Sequence, residues 1–410
     1  MITEEMEDIL IERILRRQEK ANERILEELG KILGEIGELT PSEAYTIGQQ
    51  LKFGESLDKI IKLISKTSGI NEKEIYEMLE KEAKMNLDLK KIYFKAKEID
   101  FISYEKNWQL QELVQRIGIA TAGTYRNIAR TTGITYLDRN GKEVTKSIVE
   151  AYQDIVDDAI KNVATGKETF FTSLKNQLHT IGKNGIQSIE YESGNHRRID
   201  SALRMNLQDG LNQLSIAQQD LVGEQFESDG KEITVHTYPA PDHADVQGHI
   251  FTDEEFLKLQ NEGIAKDING NEYDLHLGYE SYRPIGELNC YHRVFSIVIG
   301  ASTPRYTQEE LDKINADNEK GFEFEGKKYS LYQGTQLQRK LELELRKTRE
   351  EELLSKSALK ELKDDSLRQQ LEDVIDKNKE RQNALVNKYH DLSRISGLPT
   401  KLERTRLLTK

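Results

Sequence analysis

The chain is 410 residues long, room for roughly two or three domains of ordinary size. Hydrophobic residues make up 36% and charged residues 32%, and 59 basic against 72 acidic groups leave a net charge of −13, which excludes a nucleic-acid-binding coat over the whole surface. The single cysteine excludes an intramolecular disulfide and fits a reducing compartment, and no apolar run approaches the ~20 residues of a membrane span.

The start, MITEEMEDILIERILRR, is acidic and amphipathic, so it reads as a helix rather than a signal peptide. Met6, Ile9, Leu10 and Ile14 mark one face of it. Thr40-Pro41-Ser42-Glu43 predicts a helix start, with threonine as cap, proline in the first turn and Glu43 closing a capping box. Asn71-Glu72-Lys73-Glu74 repeats that pattern after a break at Ser68-Gly69, and a further helix is predicted from about Asn107 to Arg130. Ile134–Thr145 changes character: β-rich flanks surround Asn140-Gly141, a pair that tolerates positive φ at both turn positions, so a hairpin is predicted. Ile148, Tyr152, Ile155, Ala159 and Val163 then form a helical stripe, Phe170–Gly182 a second helix, and Ile199, Leu203, Leu207, Leu211, Leu214 and Leu221 a long third one.

From about Lys231 to Gly300 the texture shifts. Five of the eight histidines, the cysteine and three of the six prolines fall here. Glu232–His236 and Arg293–Ile299 are predicted strands, Thr252-Asp253-Glu254-Glu255 a capped helix start, and Asn269-Gly270 a second hairpin turn. A third hairpin turns near Glu325-Gly326. Beyond Thr335 the chain reads as a charge-dense helix or helical hairpin with Leu337, Leu341, Leu345, Leu359, Leu362, Leu371 and Ile375 on its apolar positions. Its heptad register is imperfect, which favours a bundled helix over a coiled coil. The end, KLERTRLLTK, carries four basic groups and one acid. The predicted class is therefore α+β and predominantly α-helical, with long helices flanking a small mixed module. Its regions are 1–132 (helical, a candidate for partner binding), 133–230 (hairpin plus helices), 231–334 (His/Cys module) and 335–410 (charged helices and basic end).

Nucleotide-binding loops, GxSxG and HExxH are absent from the sequence. Asp267–Gly278 resembles a calcium loop only faintly, since glycine falls at the fourth position and Gly278 stands where the twelfth-position Glu belongs. The dense patch is His236, Asp242, His243, His249, Cys290 and His292. Imidazole and thiolate together suit zinc, and a strand-like Cys290-Tyr291-His292 would put both ligands on one face. His236, His243, Cys290 and His292 are thus the candidate metal ligands. The same residues also suit a hydrogen-bonded core that ties irregular loops together, or a cysteine nucleophile at Cys290 activated by His243 or His236 beside Asn289. Tyr273, Tyr279, Tyr282 and Tyr291 would supply bulk to a small core or a recognition surface. Arg197-Arg198 and Arg346–Arg349 could touch phosphate, although their acidic neighbours favour solvated faces.

Three stretches in order, HTYPAPDHADVQG (236–248), GELNCYHRVFSIVIG (286–300) and YSLYQGTQLQRKLELELRKTR (329–349), resemble the minor capsid protein 2 family of tailed phages, related to the Mu F-like head morphogenesis proteins. The motif positions fall on His236, Asp242, His243, Gln247, Gly248, Asn289, Cys290, His292, Tyr332, Gln336 and Arg339. Departures are Val246 in place of an aromatic, His249 in place of a basic residue, and Tyr291 in place of Arg. The resemblance, clear over about Glu190 to Arg349, implies a non-enzymatic structural protein of the virion. Such a protein acts in head assembly, near the portal vertex or inside the capsid, and is made in the host cytoplasm. Its implied partners are the portal protein, capsid or scaffold proteins, and locally packaged DNA through the basic C-terminal end. No cofactor is implied, with zinc open at the His/Cys cluster. The alternatives are a metal- or cysteine-dependent enzyme built on that cluster, and a cytoplasmic DNA-binding or scaffolding protein outside any phage.

Overall fold

A computed structural model describes residues 4–39, 43, 46–165, 170–190, 195–288 and 290–408. Among these, helix dominates at 67%, with small antiparallel sheets, the α-rich α+β class that the sequence predicts. The chain forms two compact units, each gathered from three separate stretches. Unit one takes the described residues of Met1–Arg13, Glu72–Thr124 and Arg204–Gln336, and unit two those of Ile14–Asn71, Tyr125–Leu203 and Leu337–Lys410.

Helices α1 (Glu4–Gly37), α2 (Ile47–Ala96) and α3 (Trp108–Arg130) come first. The apolar stripe of α1 differs from the prediction. Leu10, Ile11, Ile14 and Leu15 are buried, whereas Met6 is exposed and Ile9 is 63% exposed, because the buried face runs through Ile11. The predicted start at Thr40-Pro41-Ser42 lies outside the described residues. Ser68-Gly69 is no break: α2 runs through it. Asn71, predicted to open a new helix, is buried inside α2. Its Nδ2 donates to the Tyr125 hydroxyl at 2.8 Å and its Oδ1 accepts from Arg17 at 3.3 Å. Its side chain thus bonds across the core of unit two rather than to its own backbone. Asn107 does cap α3, accepting from the Leu110 amide at 3.0 Å.

In unit two, β1 (Thr132–Leu137), β2 (Glu143–Ser147), β3 (Ile186–Ile189) and β4 (His196–Arg198) form one antiparallel sheet in the order β2-β1-β3-β4. Helices α4 (Ile148–Thr165) and α5 (Phe170–Asn184) pack on β1. The predicted hairpin is present, but its turn differs: only Gly141 has positive φ, and the Asp138 carboxylate accepts from the amides of Asn140 and Lys142, both at 2.9 Å. The Asp side chain closes the turn in place of a two-residue type I′ geometry. On α4, Ile148, Tyr152, Ile155 and Ala159 are buried.

Unit two also holds most of α10 (Leu331–Glu361) and all of α11 (Asp365–Ser396). Asp364 caps α11 by accepting from Leu367 at 2.8 Å. Leu341, Leu345, Leu362, Leu371 and Ile375 are buried as predicted. Gly30 and Gly34 of α1 lie against the α10 backbone: a Cβ on either would sit 2.4 Å from the carbonyl oxygens of Leu354 and Ala358 respectively. The arginines read as solvated faces are in part paired within this unit. Arg198 bonds both carboxylate oxygens of Glu350 and lies 3.3 Å from Asp200, and Arg346 pairs with Asp200 and Glu19.

Unit one carries most of α6 (Ile199–Gln225) and a three-stranded antiparallel sheet in the order β6-β5-β9, from β5 (Gly230–Ile233), β6 (Ile250–Thr252) and β9 (Val294–Ile297). Both predicted strands are found, shorter and with β5 displaced towards the N-terminus. Between them lie the one-turn α7 (Pro241–Ala244), α8 (Asp253–Glu262) and the hairpin of β7 (Ile264–Lys266) and β8 (Glu272–Asp274). Thr252 caps α8 by accepting from Glu255, but the Glu255 carboxylate accepts from the Lys266 amide at 2.6 Å, tying α8 to β7. Helix α9 (Gln308–Lys320) has a complete capping box at Thr307 and Glu310 and leads to the hairpin β10 (Phe322–Phe324) and β11 (Lys327–Tyr329). One core joins Ile233, Val246, Phe251, Phe256, Leu259, Ala265, Leu275, Ile285 and Val294, with Tyr273 and Tyr282 packed on it.

Candidate functional site

Two irregular segments meet over this core. The Pro-rich stretch after β5 makes the single turn of α7 and brings His243 inward. The segment before β9 brings Cys290 and His292 in from the other side. All three side chains are buried, Cys290 at 2% exposure. Cys290 Sγ lies 3.3 Å from His243 Nδ1 and 3.4 Å from His292 Nδ1, and accepts from the His292 amide at 3.4 Å. One ligand atom from each residue falls within 4.8 Å of the others.

The far nitrogens of both rings meet oxygen acceptors. His243 Nε2 is 2.8 Å from the Arg283 carbonyl, and His292 Nε2 is 3.3 Å from Gln247 Oε1. Gln247 is itself fixed: its Oε1 accepts from the His236 amide at 2.9 Å and its Nε2 donates to Asn315 at 3.1 Å. Asp242 accepts a two-pronged pair from Arg283 at 2.8 and 2.9 Å, which holds the Arg283 segment under His243. Gly248 has φ +76°, and a Cβ there would sit 2.3 Å from a Leu311 methyl, so the turn needs glycine on both counts.

Burial sets the protonation states. It pushes the His243 pKa down, aided by the Arg283 charge, and the His292 pKa well below its usual range, aided by His243. Both imidazoles are neutral at neutral pH. Burial also pushes the Cys290 thiol up. A sealed thiol with a raised pKa is the reverse of an activated nucleophile, which needs a depressed pKa and access.

Other sequence-predicted residues stand apart. His236 is half-buried, and its ring stacks on Tyr291 at 5.7 Å and meets His292 edge-on at 6.1 Å; it lies beside the three-residue cluster rather than in it. His249 belongs elsewhere, against Tyr273 at 4.9 Å and Asp267 at 3.6 Å. Asn289 lies outside the described residues. Asp267 is no calcium ligand in waiting, because its carboxylate already accepts from the amides of Asn269 and Asn271 and from the Asn271 side chain. Tyr279 is exposed.

Sequence reasoning missed Asn212. Buried on α6, its Nδ2 donates to the carbonyls of Gly286 and Cys290, both at 2.7 Å, and so positions the cysteine segment. The signal was an amide side chain set between Leu211 and Leu214 on a leucine-lined helix, since a polar group on a core face needs partners.

The phage minor capsid protein 2 family model matches residues 6–387. The chain belongs to that family. The match takes in the N-terminal helices as well as the three motifs, a wider span than the motifs alone mark. This minor capsid protein is accordingly a phage structural protein, and its family implies a place in the virion. No curated protein and no solved structure matches the chain.

Proposed function

We propose that this minor capsid protein works in head morphogenesis, bound at the portal vertex or on the inner wall of the capsid, without catalytic activity. The family match over residues 6–387 carries the reading. Two features support it. The His/Cys cluster is sealed from solvent, which suits a rigid joint better than a substrate site. The N-terminal helices leave Ile92, Trp108 and Ile119 of unit one exposed, large apolar side chains of the kind that anchor protein interfaces. The portal protein is the favoured partner, with scaffold and major capsid proteins as the others. A relation to Mu F-like proteins fits the same role.

The test is to purify mature particles of the phage that encodes this chain and quantify the protein by mass spectrometry against portal and major capsid protein. A few to tens of copies per particle, retained after the tail is removed and co-isolated with portal rings, is the expected result. Absence from washed particles would overturn the reading.

A further inference from the structure

We propose that His243, Cys290 and His292 bind one zinc ion that clamps the segment after β5 to the segment before β9. Distances come first. Zinc takes thiolate sulfur at about 2.3 Å and imidazole nitrogen at about 2.0–2.1 Å in tetrahedral geometry, so its sulfur and nitrogen ligands stand about 3.5 Å apart. The two sulfur–nitrogen distances here are 3.3 and 3.4 Å.

The tautomers agree. Each Nε2 faces an oxygen acceptor, the Arg283 carbonyl or Gln247 Oε1, so each Nε2 carries the hydrogen and each Nδ1 presents a lone pair. Both lone pairs converge on one sulfur. A thiol has one hydrogen and can satisfy only one of them; a cation satisfies both and the sulfur as well. An acceptor behind the outer nitrogen of each ligating histidine is the arrangement that orients metal-bound imidazoles. The amide of His292 aimed at Cys290 Sγ further favours the thiolate form.

Binding replaces the Cys290 proton with the metal: the S–H bond breaks, a proton leaves to solvent, and a zinc–sulfur bond forms. Neutral imidazoles give up nothing. The fourth position falls to water or to His236, whose ring lies beside His292. The inference is independent of the capsid reading.

The test uses the full chain, expressed without a histidine tag. Elemental analysis should find about one equivalent of zinc, because such sites hold metal through purification. After chelation, titration with Co²⁺ alone should saturate at one equivalent. It should give the intense visible bands of tetrahedral cobalt and a near-ultraviolet thiolate charge-transfer band. Cys290→Ser should abolish the charge-transfer band, and His243→Asn should lower affinity for Co²⁺ at least tenfold. Zinc below about a tenth of an equivalent, together with no cobalt spectrum from chelated protein whose circular dichroism is native, would overturn the proposal. So would a cobalt spectrum lacking the thiolate band. Both readings use the natural sequence, so a variant that fails to fold leaves the test intact.

Discussion

Glu82 in unit one has no exposed surface. Its Oε1 accepts from Asn86 at 3.3 Å, and burial, opposed by the nearby Arg293 charge, pushes its pKa up to about 8. The folded chain therefore holds this proton while the unfolded chain releases it near pH 4.5. The stability that the protonated form contributes is complete below pH 4.5. It falls by up to about 1.4 kcal/mol per pH unit as pH rises towards 8, and is gone above. Glu82→Gln keeps the shape and removes the titration. Denaturant midpoints of the two proteins should agree at pH 5 and separate at pH 9, the variant being more stable by roughly 2–4 kcal/mol. Equal midpoints at pH 9 would show that ionising Glu82 costs the fold nothing and that its pKa is not raised.

At the same scale, Cys290 and His292 were legible because two residues along extended chain share a side, and His243 because Pro241-Asp242 announces a turn. Partnership was not legible. Whether His236 or His243 reaches the sulfur depends on how a loop folds over the sheet, and His236 turns to Tyr291 instead. Asn212 should test how much the cluster depends on its support: Asn212→Leu leaves the carbonyls of Gly286 and Cys290 buried without their donor. It should cost about 2–3 kcal/mol in an unfolding titration. A loss below about 0.5 kcal/mol would mean that the segment finds other partners.

Between elements, backbone proximity decides what a glycine does. Gly34 of α1 faces the carbonyl of Ala358, an atom that cannot rotate away, whereas Gly69 of α2 has nothing within 4 Å of its missing Cβ. Alanine at Gly34 forces α1 off α10 and should destabilise by about 1–3 kcal/mol, outweighing its better helix propensity. Alanine at Gly69 should stabilise by about 0.5–1 kcal/mol. Thermal melts of the two variants should move in opposite directions; a shift of the same sign would contradict the packing. The sequence read Gly69 as a break and passed over Gly34. Periodicity records which face is buried, not how close the opposing helix comes. The same limit explains α1, where Ile9 fits the apolar spacing but the contact face runs through Ile11. Hairpins and some helix starts were legible, because their determinants are local: Asn107 and Thr252 each accept from an amide three residues on, whereas Asn71 shows that a good cap sequence can be overridden by a partner across the core.

For the whole molecule, a charge of −13 confines any DNA contact to a local basic feature, and the C-terminal end is the candidate that the sequence offers. Within unit two that end is held down. The Arg346 guanidinium donates to the Arg404 carbonyl, Arg349 to the Thr405 hydroxyl, and the Leu408 amide meets the Glu23 carboxylate at 2.7 and 2.8 Å. Lys401 and Arg404 are half-buried and Arg406 is exposed. The four basic groups of this end limit the phosphates it could neutralise to about four, so any affinity for duplex DNA through it should fall with salt at a log–log slope no steeper than about −4. Structural and electrostatic roles separate by substitution. Replacing Lys401, Arg404, Arg406 and Lys410 together by alanine keeps the backbone bonds, so any DNA binding should weaken, while the melting temperature should fall only by what the Lys401 and Arg404 charges lend the buried Glu342 carboxylate. Ending the chain after Thr400 removes the Leu408 amide and the Thr405 hydroxyl as well, so the melting temperature should fall. If the alanine variant bound DNA as tightly as the natural chain, the phosphate contact would lie elsewhere and the basic end would serve only to close unit two.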